Sequence, residues 1–391
     1  MLQLFFFLDF LPTLEKLGFQ YTNFATNINL LTHYHFKLEE RRKRLIEYAH
    51  NLDCDVLVSF EPENLYYMTG FWGEAIGVLE KNGKTTIIAP ELEVGRAKEE
   101  SIDCSIITAD RGVGLISGLV SRIKNYKVCT DCQNYSTMES LKKAIPTIKY
   151  STDPFYRARE VKDSKEITIL KKASQIIDEM YDLCVKKIKV GLSESELQSI
   201  LMSFATEREM FSTGYRSTLN PLIIAGGPNG ALPHAQVTRR KFANGDLIVV
   251  DLTLRYKGYV SDATRTFGLG TLNNQEKEIY EIVKESQKMG LKAVRIGASC
   301  KSIDDACREY IDKKNYGQYF IHSTGHGIGL EVHELPTISQ KSQTILQKNM
   351  AITVEPGIYM PKKFGVRIED SVIVKDKPMV LHKFTKELIV I

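Results

Sequence analysis

Between Gly245 and Gly270 the chain reads GDLIVVDLTLRYKGYVSDATRTFGLG, two runs of strand-forming residues around a Lys257-Gly258 turn. A two-residue loop at that point sets the register of the whole hairpin. Tyr256 then faces Tyr259, and counting outward puts Asp251 opposite Thr264 and Asp262 opposite Thr253. Side chains alternate between the faces of a strand, so the two aspartates point to one side as diagonal neighbours, roughly 7–8 Å apart. Two carboxylates aimed at one point from a rigid ribbon repel each other unless something positive stands between them. Any fold built on this hairpin therefore has to bring a cationic group or a metal ion to it.

A chain of 391 residues exceeds one ordinary core, and two domains are expected. Its 43% hydrophobic and 26% charged residues suit a globular protein, and a net charge of +4 is small for this length. Neither a nucleic-acid nor a membrane partner is expected from that balance. Cys54, Cys104, Cys129, Cys132, Cys184, Cys300 and Cys307 form an odd, dispersed set. Reduced thiols and a cytoplasmic setting follow as expectations. Cys129-x-x-Cys132 has the spacing of a zinc knuckle or redox pair, but no second pair accompanies it.

Residues 1–36 open with MLQLFFFLDFL, too short to span a bilayer and without a basic region before it. We read them as a peripheral extension, with His33 and His35 as exposed residues. From Lys37 an amphipathic helix begins, with Leu38, Leu45, Tyr48, Ala49 and Leu52 on one stripe and Arg41 to Arg44 on a solvated face. Strands and helices alternate from there to about Tyr150, an α/β domain over 37–150. Residues 146–163 carry prolines and charge without an apolar period and mark the domain junction. Asp163-x-x-Glu166 and Ser193-x-x-Glu196 are capping-box patterns opening two amphipathic helices. Two further helices are expected over 275–295 and 302–313, with the acidic hairpin between the pairs.

Three later stretches are rich in possible ligands: His322 to Glu334, Val354 to Tyr359, and Val366 to Asp370. Upstream, His234 follows the glycine-rich turn Gly226 to Gly230. Alone, Glu-Pro-Gly is usually a turn and Arg-Ile-Glu-Asp a strand end. Four of the chain's eight histidines nevertheless lie in these segments. The glycines around His326 also permit a close backbone approach that structural histidines seldom need. One histidine and four carboxylates form a donor set for divalent ions, and their charge calls for two of them. Two ions about 3.5–4 Å apart share a water and lower its pKa from about 15.7 towards 7, which is hydrolytic chemistry.

Residues 155–391 resemble the catalytic domain of the metallopeptidases with the α+β pita-bread fold. The group includes methionine aminopeptidase, aminopeptidase P, prolidase and the metal-free creatinase. The stretches that carry the resemblance are GPNGALPH (Gly227 to His234), VVDLTLRYKGYVSDATRTF (Val249 to Phe267), HSTGHGIGLEVHE (His322 to Glu334), TVEPGIY (Thr353 to Tyr359) and VRIED (Val366 to Asp370). The α/β domain, with NLYYMTGF at Asn64 to Phe71, resembles the creatinase-like N-terminal domain of the prolidase branch. Residues 1–36 are not covered.

The resemblance implies Asp251, Asp262, His326, Glu355 and Glu369 as ligands of two divalent metal ions, with Asp262 and Glu369 bridging. Manganese, cobalt, iron or zinc would serve, manganese or cobalt being favoured. It also implies His234, His322 and His333 as substrate-side histidines, Arg367 as a partner of the cluster, and Glu355 as the proton shuttle. The implied reaction is hydrolysis of the bond before proline by a metal-bridged hydroxide. Xaa-Pro dipeptides are the implied substrates, with longer peptides, as for aminopeptidase P, the alternative. A homodimer is implied, and a non-catalytic peptide-binding protein of the same fold is the reading from another class.

Overall fold

A computed structural model describes residues 38–215 and 218–391. The apolar start of the chain, with His33 and His35, lies outside the described residues. Two compact units meet at a boundary between Ser151 and Thr152.

The first unit holds a six-stranded sheet. Its strands are β1 (Val56–Ser59), β2 (Ile76–Glu80), β3 (Thr85–Ala89), β4 (Ser105–Thr108), β5 (Val128–Thr130) and β6 (Lys149–Tyr150), in the order β4-β3-β2-β1-β5-β6. β2 runs antiparallel to its two neighbours, and the β3–β4, β1–β5 and β5–β6 pairs are parallel. Helices intervene where parallel neighbours require crossovers, so the α/β reading holds.

The helix described from residue 38 to residue 51 buries Leu38, Leu45 and Ala49 as its stripe demands. Its run of basic residues departs from expectation. Arg41 and Arg42 are buried, and only Lys43 is exposed. Arg42 donates from Nε to the Met68 carbonyl at 3.0 Å and from Nη2 to the Ile102 carbonyl at 2.6 Å. A guanidinium with five fixed donors can close off orphan carbonyls that a solvated face would never meet.

The cysteine expectation also needs correction. Cys54 and Cys129 form a disulfide, leaving Cys104, Cys132, Cys184, Cys300 and Cys307 as free thiols. The parallel pairing of β1 with β5 brings the two sulfurs together across 75 residues of chain, a contact hidden from local spacing. Cys129 therefore does not act with Cys132 as a dithiol.

The second unit has two halves. In one, β7 (Met210–Ser212), β8 (Ile223–Gly226), β9 (Leu247–Tyr256) and β10 (Tyr259–Gly268) form a sheet. β9 lies at its centre, with β10 along one edge and β7 and β8 along the other. The hairpin has the expected register: Tyr256 faces Tyr259, Asp262 faces Thr253 and Thr264 faces Asp251. Lys257 and Gly258 both have positive φ, 46° and 85°, the geometry of a type I′ turn whose twist matches the strands. Helices Ser164–Lys187 and Glu194–Thr206 both open with complete capping boxes. They bury Ile177, Tyr181, Leu197 and Leu201 against Val250, Leu252 and Phe267.

The other half contains β11 (Gly325–Gly327), β12 (Glu334–Ile338), β13 (Ala351–Val354), β14 (Gly357–Met360), β15 (Phe364–Arg367), β16 (Asp370–Ile373) and β17 (Met379–Val380). Five of them form a sheet in the order β12-β11-β13-β16-β17, and β14 pairs with β15. Helices Asn274–Ala293 and Cys300–Lys313 cover this half, with Val283, Ile303 and Ile311 in one core with Ile352, Val354 and Ile368. The halves join where Thr264 bridges to Glu369. Glu369 donates its N–H to the Thr264 carbonyl at 3.1 Å, and Ser371 donates to the Asp262 carbonyl at 2.7 Å.

The junction stretch holds a helix, Asp153–Glu160, with a proline in its first turn. Its buried face includes Arg159 and Glu160 beside Phe155 and Ala158, which explains why no apolar period marked it.

Candidate active site

All nine candidate residues line one cavity of about 460 Å³. The hairpin supplies Asp251 and Asp262, and β11 supplies His326. Glu355 directly follows β13, Arg367 ends β15, and Glu369 immediately precedes β16. His322, His333 and His234 come from the connecting loops, His333 standing just before β12.

Asp262, His326 and Glu369 each offer a ligand atom, and these atoms all lie within 4.8 Å of one another. Glu355 stands beside them, its Oε1 3.3 Å from His326 Nε2. His326 Nδ1 meets the Gly327 carbonyl at 2.9 Å, which leaves Nε2 facing the carboxylates. Asp251 is held differently, its Oδ2 accepting from Arg367 Nη2 at 2.5 Å. The Thr253 hydroxyl bridges the aspartates at 3.2 Å from Asp251 Oδ1 and 2.8 Å from Asp262 Oδ1.

Burial and mutual repulsion dominate the electrostatics. Burial pushes the Asp262 carboxyl well above its ordinary range, and the charges of Asp251 and Glu355 push further. Burial, with Asp262 and Glu355 beside it, does the same to Glu369. For Glu355 burial acts upward too, but the hydrogen bond and charge of His326 prevail and hold it at about 2. Burial, reinforced by the charge of His326, pushes His333 down to about 4. Its ring stands open to the cavity while packing edge-on to Tyr215 and, at 4.4 Å between centroids, to His326.

The donor set fits divalent ions on two observations. Glu369 Oε1 is buried with no hydrogen-bond partner among the described residues, and Glu369 is one of the three residues whose ligand atoms cluster there. Two adjacent buried carboxyls that resist ionisation are also what a site looks like when its charge balance relies on a cation.

Several residues that organise the site carried no role in the sequence reading. Tyr359 places its hydroxyl 3.0 Å from His322 Nε2 and 2.7 Å from Arg367 Nη1. With Arg367 on Asp251, this makes a hydrogen-bonded chain from a cavity histidine to the hairpin. Thr264 donates to Glu369 Oε2 at 2.7 Å and accepts from Arg367 Nε at 3.0 Å. Thr253 and Thr264 were traceable, since the hairpin register already set each opposite an aspartate. Asp304 and Arg308 were not. Asp304 accepts the Thr324 N–H at 3.0 Å, and Arg308 donates to the His322 carbonyl at 2.8 Å, so the pair anchors the loop of His322.

Comparison with known proteins agrees with this geometry. Residues 168–376 match the model of metallopeptidase family M24, and residues 41–161 that of the creatinase/prolidase N-terminal domain. The chain is 36% identical over 344 residues to an Xaa-Pro dipeptidase of Pyrococcus furiosus, covering 87% of this chain and 96% of that protein. It is 36% identical over 357 residues to an Xaa-Pro dipeptidase of Pyrococcus horikoshii, covering 90% and 99%. The solved structure of an Xaa-Pro dipeptidase from Bacillus anthracis superposes with a TM-score of 0.84 at 33% identity, covering 90% of this chain and all of that one. A metallopeptidase family implies divalent metal ions in general, and Asp262, His326 and Glu369 offer a site for one. With the ligand-rich cavity at the seam of its two catalytic halves, and a creatinase-like domain ahead of them, the chain belongs to the pita-bread metallopeptidases of family M24.

Proposed function

We propose that this chain is an Xaa-Pro dipeptidase, hydrolysing the bond between an amino-terminal residue and proline. The observation that carries the reading is the convergence of five metal-type donors and three histidines on one cavity of about 460 Å³. The dipeptidases among its relatives support the substrate class. Asp251, Asp262, His326, Glu355 and Glu369 would hold two divalent ions; an oxygen-rich set with one histidine suits manganese, cobalt, iron or zinc, with manganese or cobalt favoured. Such ions supply a water ionised near neutral pH and a Lewis acid for the scissile carbonyl.

The chain's own residues do the rest. Glu355 accepts the proton of the attacking water and delivers it to the departing proline nitrogen. His333 stays neutral at that pH and donates its ring N–H to the carbonyl oxygen as negative charge develops there. His234 and His322 contact the proline side of the substrate. Arg367 holds Asp251 in place through its bond to Oδ2. The proline nitrogen has no hydrogen to donate, so the cavity reads it by shape.

On the domain plan, we assign 37–150 to the creatinase-like domain, 155–391 to the catalytic domain and 1–36 to a peripheral extension. A cytoplasmic homodimer completes the reading, the dimer on the resemblance alone and the cytoplasmic setting on the dispersed cysteines of the sequence, against which the Cys54–Cys129 disulfide stands. Light scattering on the purified protein tests the dimer.

The test of the activity is Asp262→Asn assayed on Leu-Pro with added Mn²⁺ or Co²⁺. Loss of turnover is expected, and retained activity rejects the assignment. Comparing Leu-Pro with Leu-Pro-Pro on the unaltered enzyme reads the preferred substrate length.

A further inference from the structure

Three buried charges beside the cavity have no part in the reaction as described. Arg159 and Lys162, each 1% exposed, converge on Glu334, whose side chain is 3% exposed. Arg159 Nε reaches Glu334 Oε1 at 3.1 Å, and Lys162 Nζ reaches Oε2 at 2.7 Å. A second arm of Arg159 binds Glu331. Glu334 Oε1 also accepts the backbone N–H groups of Leu330 and Glu331, at 2.8 and 3.2 Å. The carboxylate thus ties its own loop into a closed turn and fastens that turn to the helix before the catalytic halves.

The loop's glycines are shaped to this arrangement. A Cβ on Gly329 would lie 2.6 Å from Glu334 Oε2, so the carboxylate closes onto the turn only because that position is bare. On the far side, Val260 donates to the Gly329 carbonyl at 2.7 Å and Arg255 to the Leu330 carbonyl at 2.6 Å.

Buried ion pairs are weak evidence of stability, since apolar replacements of similar volume are often neutral or better. A cluster of this cost next to a cavity calls for another account, and the residue directly before Glu334 is His333. We infer that Glu334, locked by Arg159 and Lys162, is a positioning residue that sets the His333 ring over the ligand cluster. The inference rests on the peptidase reading above. Its physical basis is the steep distance dependence of transition-state contacts, where a misplacement of about 1 Å costs on the order of 100-fold in rate.

A double-mutant cycle tests it. Glu334→Gln keeps the size of the side chain and an oxygen for the two loop N–H groups, but removes the charge that orders Arg159 and Lys162. On Leu-Pro, kcat is expected to fall about 10- to 100-fold with KM within about threefold, and His333→Ala to fall about 100- to 1,000-fold. If Glu334 acts through His333, adding Glu334→Gln to His333→Ala costs nothing further. Arg159→Lys, which keeps the charge but loses the fork that spans two carboxylates, should show the same lack of additivity in a milder form. It also serves should Glu334→Gln fail to fold, with thermal melting and bound-metal content establishing which variants are intact. Equal fold-losses in both backgrounds, or an unchanged kcat in Glu334→Gln, would overturn the inference. Wild-type turnover of Leu-Pro is measured in the same series. Its absence would count against the peptidase reading, whereas equal losses count against the positioning role alone.

Discussion

Thr264 grips Glu369 twice, its hydroxyl donating to Oε2 at 2.7 Å and its carbonyl accepting the Glu369 N–H at 3.1 Å. The same hydroxyl accepts from Arg367 Nε, so one small side chain orients both a proposed bridging ligand and the arginine that steadies Asp251. Thr264→Val preserves shape and the backbone bond while deleting the hydroxyl. Partners behind metal ligands typically contribute 10- to 100-fold in affinity. Thr264→Val is accordingly expected to weaken Mn²⁺ binding by about that factor, read by calorimetric titration of the metal-stripped protein. An unchanged affinity would remove Thr264 from the site.

Gly327 illustrates how the histidine strand is squeezed into place. A Cβ there would lie 2.1 Å from the Leu335 carbonyl oxygen, a backbone atom that cannot swing aside. Gly327→Ala is expected to destabilise the protein by about 1–3 kcal/mol, as overpacking usually does, and to lower metal content by displacing His326. Gly95→Ala is the control. It sits in helix Glu91–Glu100 with nothing within 4 Å of the new methyl, and should be neutral or stabilising by up to about 1 kcal/mol. Urea unfolding of both variants checks the contrast.

Acid should find two buried carboxylates. Burial alone would raise Glu334, but Arg159 and Lys162 hold it at about 2, below its ordinary 4.5. Asp370 is held at about 2 against an ordinary 3.8, with burial again outweighed, here by Arg265 and Lys386. A carboxyl depressed in the folded protein stabilises it fully above the unfolded value, and that contribution is lost as pH falls towards the folded one. Each group is worth roughly 2–3.5 kcal/mol. Stability is therefore expected to drop between about pH 4.5 and 2, measured as urea midpoints across that range. Glu334→Gln should start lower and show a shallower slope.

What could be read in advance follows from periodicity and from turn chemistry. The hairpin register came from a two-residue turn and a strict alternation, and these remain true however the rest of the chain packs. The capping boxes at Asp163 and Ser193 were equally local. Buried charge was the blind spot. Arg42 and Arg159 look like solvent-facing residues until the carbonyls and carboxylates they meet are known, and those partners lie 26 to 175 residues away. The chain from His322 through Tyr359 to Arg367 was hidden for a related reason. Its motifs were visible one by one, while their hydrogen bonds exist only once β14 and β15 pair beside the cavity.

The seam at Thr264 and Glu369 has a further consequence for when this chain becomes dangerous to other peptides. Asp251 and Asp262 belong to the half built on β9 and β10, whereas His326, Glu355 and Glu369 belong to the half built on β11, β13 and β16. Neither half alone carries the proposed donor set, so a nascent or partly opened chain has no assembled centre. An ion that binds only the closed form deepens that form in proportion to the logarithm of its concentration over its dissociation constant. Held by that set, a divalent ion would act as a completion check, arming the hydrolase only after both halves have met.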